Sequence, residues 1–169
     1  MSLYVQWMNL IKEKATSAWL TENQHAAYDQ VVNKWATARF VNLLGPPGSG
    51  KSFLARILAK EHNYIYARDL QAVPPLAPNV IVDDAEYTRL MRTTTQILEI
   101  GRVTLVTLTP VKDPMPRAEI RLSERDVHQF LHNLYVHCGI QFVASDPRGT
   151  DLSQIIRAEV IARGGDHDD

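Results

Sequence analysis

The sequence predicts an α/β fold in three layers, α/β/α, around a mostly parallel sheet. Short apolar runs alternate with amphipathic stretches, which is the order expected when helices connect neighbouring parallel strands. The apolar runs are continuous, as in strands that are buried on both faces. The chain has 169 residues, of which 45% are hydrophobic and 22% charged, a balance that fits one compact globular domain.

Two helices are predicted ahead of the first strand. Apolar residues recur at helical spacing over residues 3–19, and a second helix is expected to begin near Glu22. Thr21 and Gln24 form a T-x-x-Q capping box there, in which each side chain would pair with a backbone N–H group of the other residue. We therefore expect residues 1–38 to form an N-terminal helical extension.

The predicted core spans residues 39–145. Its strands are expected where apolar runs are bounded by glycine, proline or charged residues, at 39–44, 64–67, 80–82, 103–109, 118–122 and 140–143. Helices are expected after the first, third and fifth strands; the second of them covers 85–100, and Ser123 caps the third. A final helix over 152–163 and a frayed acidic tail make up the predicted C-terminal region, 146–169.

A glycine-rich loop follows the first strand and matches G-x-x-x-x-G-K-[ST] in full. Glycines allow successive backbone N–H groups to point at phosphate oxygens, and the next helix adds the positive end of its dipole. The Lys51 ammonium would reach the β- and γ-phosphates, and the Ser52 hydroxyl would join the shell of Mg²⁺. The pattern predicts a site for ATP with Mg²⁺, made of Gly45, Pro46, Pro47, Gly48, Ser49, Gly50, Lys51, Ser52 and the following Phe53.

Two adjacent acidic residues end the third predicted strand, in the run Val-Ile-Val-Asp83-Asp84. An acidic residue at the carboxyl end of a parallel strand lies on the same sheet edge as the phosphate loop. We expect Asp83 to hold Mg²⁺, directly or through water, and Asp84 to polarise the attacking water. Glu86 is the alternative for the second role, and capping of the next helix is the alternative explanation for these acids.

The order of elements and motifs along the chain resembles the ATPase core of the AAA+ class of P-loop ATPases. That order is apolar strand, GPPGSGKS, helix, short strand, VIVDDAE, helix, VTLVTLTP and AEIRLS. The resemblance covers about residues 39–135. The IVDD form is most similar to the replication-initiator and helicase-loader branch, which includes DnaA-like and transposition-helper ATPases. The resemblance implies a sheet with an added strand between the strands of the two motifs.

Three residue roles follow only from that resemblance. Thr109, or alternatively Thr107, would contact the γ-phosphate or the attacking water. Arg117 would act as an arginine finger on the ATP of a neighbouring subunit. Gln24 lies ahead of the loop, as adenine-reading residues do in some helicases, although the capping box explains it equally well. A strand-forming threonine and an exposed loop arginine are the simpler explanations for Thr109 and Arg117.

The sequence departs from the family in two regions. Few residues separate Lys51 from Asp83, so the usual helix between the second and third strands is reduced to the proline-containing loop 71–79. After Tyr135 too little chain remains for a complete helical lid, and Arg157 is a weak candidate for a second sensor arginine. Sequence alone places no arginine in the chain's own site, so nucleotide binding is better supported than hydrolysis.

The composition argues against several classes of function. A formal net charge of -1 gives no overall attraction to DNA or anionic membranes, so nucleic acid would be contacted only through a partner or a local patch. One cysteine, Cys138, cannot form an internal disulfide, and no run reaches the roughly 18 apolar residues of a membrane span. The N-terminus lacks signal-peptide features, so a cytoplasmic location is expected. His128 and His132 are spaced i, i+4 with His137 and Cys138 nearby, but they form no matching ligand set, so we expect no metal site there.

These observations predict an ATP-binding and ATP-hydrolysing protein that acts as a switch or assembly factor for a protein or protein–DNA complex. Its turnover is expected to be weak without a protein partner or self-association. By analogy with the family, the process would be replication, transposition or defence against mobile DNA. The alternatives are a small-molecule or nucleoside kinase, a non-hydrolysing nucleotide-binding module, and one lobe of a helicase-like machine.

Overall fold

The structure is a computed structural model and describes residues 1–68, 72–83, 99–112, 114–143 and 149–164. Two helices precede the sheet, α1 (Leu3–Lys14) and α2 (Glu22–Trp35), with a short 3₁₀ turn (Ser17–Trp19) between them. The predicted start of α2 at Glu22 is confirmed. Both helices pack their apolar faces into the core.

The prediction of one helix over 3–19 is wrong, because the backbone is extended at Ala15 and Thr16. The break reorients the segment that follows. The Ser17 amide donates to the Glu61 carboxylate at 2.8 Å, and the Trp19 ring stacks on His137 with centroids 4.7 Å apart. These contacts with distant parts of the chain replace the last turn of the expected helix.

Five strands form one sheet: β1 (Phe40–Leu44), β2 (Ile65–Ala67), β3 (Asn79–Val82), β4 (Arg102–Thr107) and β5 (Arg117–Glu119). Their order across the sheet is β2-β3-β4-β1-β5, and every neighbouring pair is parallel. All the carboxyl ends therefore meet at one edge, and β4 lies between β1 and β3. The predicted α/β fold with a mostly parallel sheet is confirmed.

Three more helices follow in the described residues, α3 (Lys51–His62), α4 (Glu124–Cys138) and α5 (Leu152–Ala162). The larger apolar core joins all five described helices to one face of the sheet, where β1 contributes Val41 and Leu43. A smaller core on the opposite face contains Val80 and Leu105. Most of the predicted helix over 85–100, namely residues 85–98, lies outside the described residues.

The ends of two strands differ from the prediction. β4 ends at Thr107 instead of residue 109, because the Thr107 hydroxyl donates to the Thr109 carbonyl at 2.7 Å and turns the chain. β5 begins at Arg117 and ends at Glu119, earlier than the predicted 118–122. The Ile120 amide still donates to the Leu44 carbonyl at 2.8 Å, which keeps the chain on β1 just beyond the strand.

The predicted strand over 140–143 is absent from this described segment. Its backbone groups pair with side chains of the last helix and the residue after it instead of with a strand. The Val143 amide donates to the Glu159 carboxylate at 2.9 Å, and the Arg163 guanidinium donates to the Gln141 carbonyl. Only Ile140 of this segment is buried, while Val143 is exposed, so the apolar run does not need a sheet to cover it.

Candidate nucleotide-binding site

The glycine-rich loop 45–52 connects the end of β1 to the start of α3. Gly48 and Gly50 have φ angles of 69° and 84°, a left-handed region that residues with a Cβ rarely adopt. At Gly45 an added Cβ would lie 2.7 Å from the Ser49 hydroxyl oxygen. The glycines therefore permit a tight loop that leads directly into the first turn of a helix, where backbone N–H groups lack partners within the helix.

Two other elements hold the loop from outside. The Leu152 amide, at the start of α5, donates to the Gly48 carbonyl at 2.9 Å. The Gln24 side-chain amide, from α2, donates to the Ser49 carbonyl at 3.3 Å. An added Cβ at Gly50 would lie 2.5 Å from Gln24 Nε2, so the two segments are in close contact. The loop conformation therefore depends on helices that are distant in sequence.

Gln24 lines neither of the two cavities described below. Its side chain is fully buried, and its oxygen accepts a hydrogen bond from the Thr21 amide at 3.2 Å. One end of the Gln24 amide thus caps α2 while the other supports the phosphate loop. This placement agrees with the capping-box explanation for Gln24.

A polar cavity of about 310 Å³ opens beside the loop at the carboxyl edge of the sheet. It gathers side chains from α3, β4 and the segments that follow β2 and β3. Its lining residues are Pro47, Gly48, Lys51, Ser52, Arg68, Asp83, Val106, Thr107 and Leu108. Sequence reasoning predicted Lys51, Ser52 and Asp83 for this place, and the sheet brings them together.

The Lys51 side chain curls over the loop that precedes it. Its ammonium group donates to the Pro46 carbonyl at 2.7 Å, and the residue is 9% exposed. Pro46 thus lies in the loop as a backbone acceptor. The geometry keeps the charge of Lys51 at the loop, where it also lines the polar cavity.

Asp83 follows β3 directly and is 5% exposed. The Tyr66 hydroxyl, from β2, donates to Asp83 Oδ2. Burial, together with the hydrogen bond and charge of Asp83, raises the pKa of Tyr66 to about 12, so this phenol remains a donor at neutral pH. The Arg56 guanidinium lies over the Tyr66 ring, 4.1 Å from its centroid. Asp84 and Glu86, the two candidates for activating water, lie outside the described residues.

Of the two candidate threonines, Thr107 lines the polar cavity and Thr109 does not. Thr107 is the last residue of β4, and its hydroxyl accepts a hydrogen bond from the Asn42 side chain at 2.9 Å. Thr109 lies beyond the strand and is exposed. Thr107 and not Thr109 lies at the cavity wall because β4 ends two residues earlier than predicted, while a role for either threonine stays a prediction.

Arg117 lies on β5, the edge strand, and is exposed. Its guanidinium donates to the Val111 carbonyl at 2.8 Å, and it lines neither cavity. In the register of the sheet it pairs with Asn42 of β1, so it lies before the edge that carries the loop. Its position is outside the chain's own candidate site.

A second cavity, of about 220 Å³, lies on the other side of the loop and is mostly apolar. Gly48, Gly50, Lys51 and Ser52 line it where it meets the loop. Phe53 and Phe130 contact each other edge to face at its wall, with ring centroids 6.2 Å apart. Two helices far apart in sequence, α1 and α5, supply its remaining lining residues, Met8, Ile11, Leu152, Ser153 and Ile156.

Sequence reasoning missed most of this second cavity. Met8, Ile11 and Phe130 occupy helical positions that the apolar pattern assigns to the core in general. Nothing local distinguishes a side chain that packs against its neighbours from one that leaves room for a ligand. Arg68 was missed for a related reason, since only the pairing of β2 with β3 brings it to the polar cavity.

The residues present fit a magnesium nucleotide. Side chains of Ser49, Asp151 and Gln24 leave no room for a Cβ at Gly45, Gly48 and Gly50, so the glycines permit a tight loop of the kind that binds phosphate through backbone N–H groups. Ser52 and Asp83 line the same cavity and offer the hard oxygen donors that Mg²⁺ prefers. Among the described residues, no group of three or more His, Cys, Asp and Glu side chains could hold a metal ion independently of a nucleotide.

The fold and this geometry define a class. A glycine loop between β1 and α3, an acidic residue at the end of β3, and β4 between the two strands form a P-loop NTPase fold. Within the described residues no helix is long and apolar enough to cross a membrane. No protein-family model and no curated protein matches the sequence.

Solved structures with a similar fold include RuvB, the Holliday junction branch migration motor of Thermotoga maritima. That structure has a TM-score of 0.59 at 17% identity, over 92% of this chain and 66% of the RuvB chain. Two substituted forms of RuvB, also 17% identical, give TM-scores of 0.56 and 0.54 over 86% and 83% of this chain. The chain therefore covers a little under two-thirds of the length of each of these RuvB chains, namely 66%, 63% and 62%. The similarity shows the fold.

Proposed function

We propose that the chain binds ATP with Mg²⁺ and hydrolyses it. The observation that carries this proposal is the polar cavity, where Lys51, Ser52 and Asp83 converge beside a complete phosphate-binding loop. Lysine beside a glycine loop serves phosphate, and a hydroxyl with a carboxylate serves the metal that accompanies it. Other phosphate ligands would not need the adjoining apolar cavity, which a nucleoside would fill.

The two cavities indicate how the proposed nucleotide would be oriented across the loop. The base would lie in the apolar cavity against Phe53 and Phe130, and the phosphates would cross the loop into the polar cavity. The terminal phosphate would then lie nearest Asp83 and Thr107. Under this proposal, α1 and α5 contribute to base binding, so the proposed regions 1–38, 39–145 and 146–169 act on one ligand.

The residues around the two cavities divide the proposed chemistry between them. Lys51 and the loop amides would hold phosphate oxygens, and Ser52 with Asp83 would hold Mg²⁺, which would neutralise phosphate charge. Thr107 contacts the terminal phosphate or the attacking water. Asp84, or alternatively Glu86, accepts a proton from that water. Thr109 is left with a backbone role, because its carbonyl accepts the Thr107 hydroxyl.

We further propose that turnover is coupled to assembly with a second subunit or another protein. Arg117 is exposed on an edge strand and lies outside the chain's own cavities, as a residue acting on a neighbour's ATP would. Such arginines contribute about 10³- to 10⁵-fold to the rate in well-studied systems. The protein would act in the cytoplasm as a switch or assembly factor.

The partner and process are proposed by analogy of fold. RuvB is a motor for branch migration at Holliday junctions, and the IVDD motif of this chain resembles the DnaA-like branch. Both point to a partner that is a protein or a protein–DNA complex, in replication, transposition or defence against mobile DNA. With a formal net charge of -1, the chain itself provides no general attraction to DNA.

Phosphate release measured over a wide range of protein concentration tests this function. We expect specific activity to rise with concentration for wild type and for Arg121→Ala, an exposed neighbouring arginine paired with Glu119. Arg117→Ala should keep the low specific activity of the dilute protein at every concentration, about 10³-fold below that of the assembled wild type. Thermal melting would verify that both variants are folded.

Activity that stays high on dilution and is unaffected by Arg117→Ala would contradict the assembly proposal. Nucleotide binding without phosphate release at any concentration would indicate a non-hydrolysing module. Release that requires a small-molecule acceptor, with phosphate appearing on that acceptor, would indicate a kinase.

A further inference from the structure

We infer that Arg68 contacts the terminal phosphate of the nucleotide bound in the same chain and lets the protein distinguish ATP from ADP. The inference rests on the proposed function and adds a residue that no sequence motif indicated. It concerns recognition of the nucleotide state, whereas Arg117 is proposed to act on a neighbouring subunit.

The sheet places Arg68 at the cavity. Arg68 follows β2 directly, and the parallel register pairs Ala67 with Val82, so the next residues along each strand are Arg68 and Asp83. The Asp83 amide donates to the Ala67 carbonyl at 2.8 Å, which continues the pairing up to this point. Arg68 therefore lies beside the candidate metal-binding carboxylate and lines the same polar cavity as Lys51.

In the proposed orientation of the nucleotide, its terminal phosphate would lie in the polar cavity that Arg68 lines. The apolar cavity on the opposite side of the loop contains Phe53 and Phe130 but neither Arg68 nor Asp83. Gly48, Lys51 and Ser52 line both cavities and mark the crossing point. A nucleotide with its base on the apolar side therefore extends its last phosphate toward Asp83 and Arg68.

Further cationic side chains lie near Arg68. Tyr66 donates to Asp83 and also interacts with Arg68, while Arg56 stacks on the Tyr66 ring. Lys12, on α1, is near enough that burial first and then the charges of Arg56 and Arg68 lower its pKa. Among the described residues, the wall of the polar cavity carries two cations, Lys51 and Arg68, against one carboxylate, Asp83, which favours binding of an anion there.

Guanidinium recognition of phosphate gives a measurable preference. Hydrogen bonds to charged groups correspond to affinity changes on the order of 10- to 100-fold, and a planar guanidinium pairs with phosphate oxygens two at a time. ADP lacks the phosphate group that Arg68 would contact. Loss of Arg68 should therefore weaken the binding of a triphosphate far more than the binding of a diphosphate.

The test compares the Kd of a non-hydrolysable ATP analogue with the Kd of ADP, both with Mg²⁺, by calorimetry on the full chain. We expect Arg68→Ala to reduce the analogue-to-ADP preference by about 10-fold or more and Arg68→Lys to restore part of it. Arg125→Ala is the matched control, because Arg125 is an exposed arginine on α4 with a side chain 85% exposed. This control should keep the wild-type preference.

An unchanged preference in Arg68→Ala, with wild-type binding of both nucleotides, would overturn the inference and leave the proposed function standing. Equal weakening of both nucleotides would also overturn it, since Arg68 would then serve the loop or the shared phosphates. Wild-type protein that binds neither nucleotide would overturn the proposed function and this inference together. Thermal melting of each variant separates these results from unfolding.

Discussion

Asp83 is the one acidic side chain that lines the polar cavity within the described part of the chain. Tyr66 donates to one of its carboxylate oxygens while the group remains at the cavity wall. A carboxylate oriented by a fixed hydrogen bond holds a metal more effectively than a freely rotating one. The next residue, Asp84, is proposed to have a different role, activation of the attacking water.

Asp83→Asn should weaken Mg²⁺-dependent ATP binding by about 10-fold or more, because the amide removes the charge that attracts the ion. Asp84→Asn should leave binding unchanged and slow phosphate release, since that carboxylate is proposed to accept a proton from water. Calorimetry with and without Mg²⁺, followed by a turnover assay, separates the two effects. Normal turnover in Asp84→Asn together with slow turnover in Glu86→Gln would transfer the role to Glu86.

At the scale of elements, the amino ends of α2 and α4 meet around one buried carboxylate. Asp126, on α4, accepts hydrogen bonds from the backbone amides of Asn23 at 2.9 Å and Ser123 at 2.8 Å. The side chains of both residues also donate to it, at 2.6 Å each. Because Gln24 of the same α2 turn supports the phosphate loop, this junction fixes the loop from a distance.

The same junction predicts a dependence of stability on pH. Burial alone would raise the pKa of Asp126, but hydrogen bonds from Ser123 and Asn23 outweigh it and hold that pKa well below its usual range. A carboxyl whose pKa is depressed in the folded state stabilises the fold above its unfolded pKa of about 3.9. That contribution is lost as the pH falls toward the folded-state pKa.

Asp126→Asn should therefore lower the free energy of unfolding by about 1–3 kcal/mol at pH 7 and reduce the loss of stability on acidification. Urea denaturation at pH 7 and at about pH 3 measures both effects. Asp29→Asn is the control, because Asp29 is exposed and pairs only with His25 on its own helix in the salt bridges of the described residues. Identical acid sensitivity of wild type and Asp126→Asn would show that other carboxyl groups determine it.

The elements that sequence could predict are those specified by local patterns. Gly48, Gly50 and Lys51 belong to one contiguous motif, and the capping residue Ser123 precedes its helix directly. The break after α1 could not be predicted this way, because Glu61 and His137 favour it from distant parts of the chain.

At the scale of the whole molecule, the same distinction explains which parts of the site were missed. The proposed phosphate-binding residues are consecutive, so the motif alone predicts Lys51 and Ser52. Arg68, which was missed, reaches the cavity only through strand pairing, and the length of β4 decides that Thr107 and not Thr109 lines it. The apolar cavity requires several helices to meet, so Met8 carries no signal of its role in the sequence around it.

Nucleotide binding at the loop that follows β1 underlies every other proposal, and a single titration tests it. Calorimetry would compare the binding of an ATP analogue with Mg²⁺ to wild type, Lys51→Ala and Lys60→Ala, the last an exposed lysine on the same helix α3. We expect wild type and Lys60→Ala to bind alike, while Lys51→Ala loses about 10- to 100-fold or more in affinity. Equal affinity in all three proteins, or no binding to wild type, would contradict nucleotide binding at this loop.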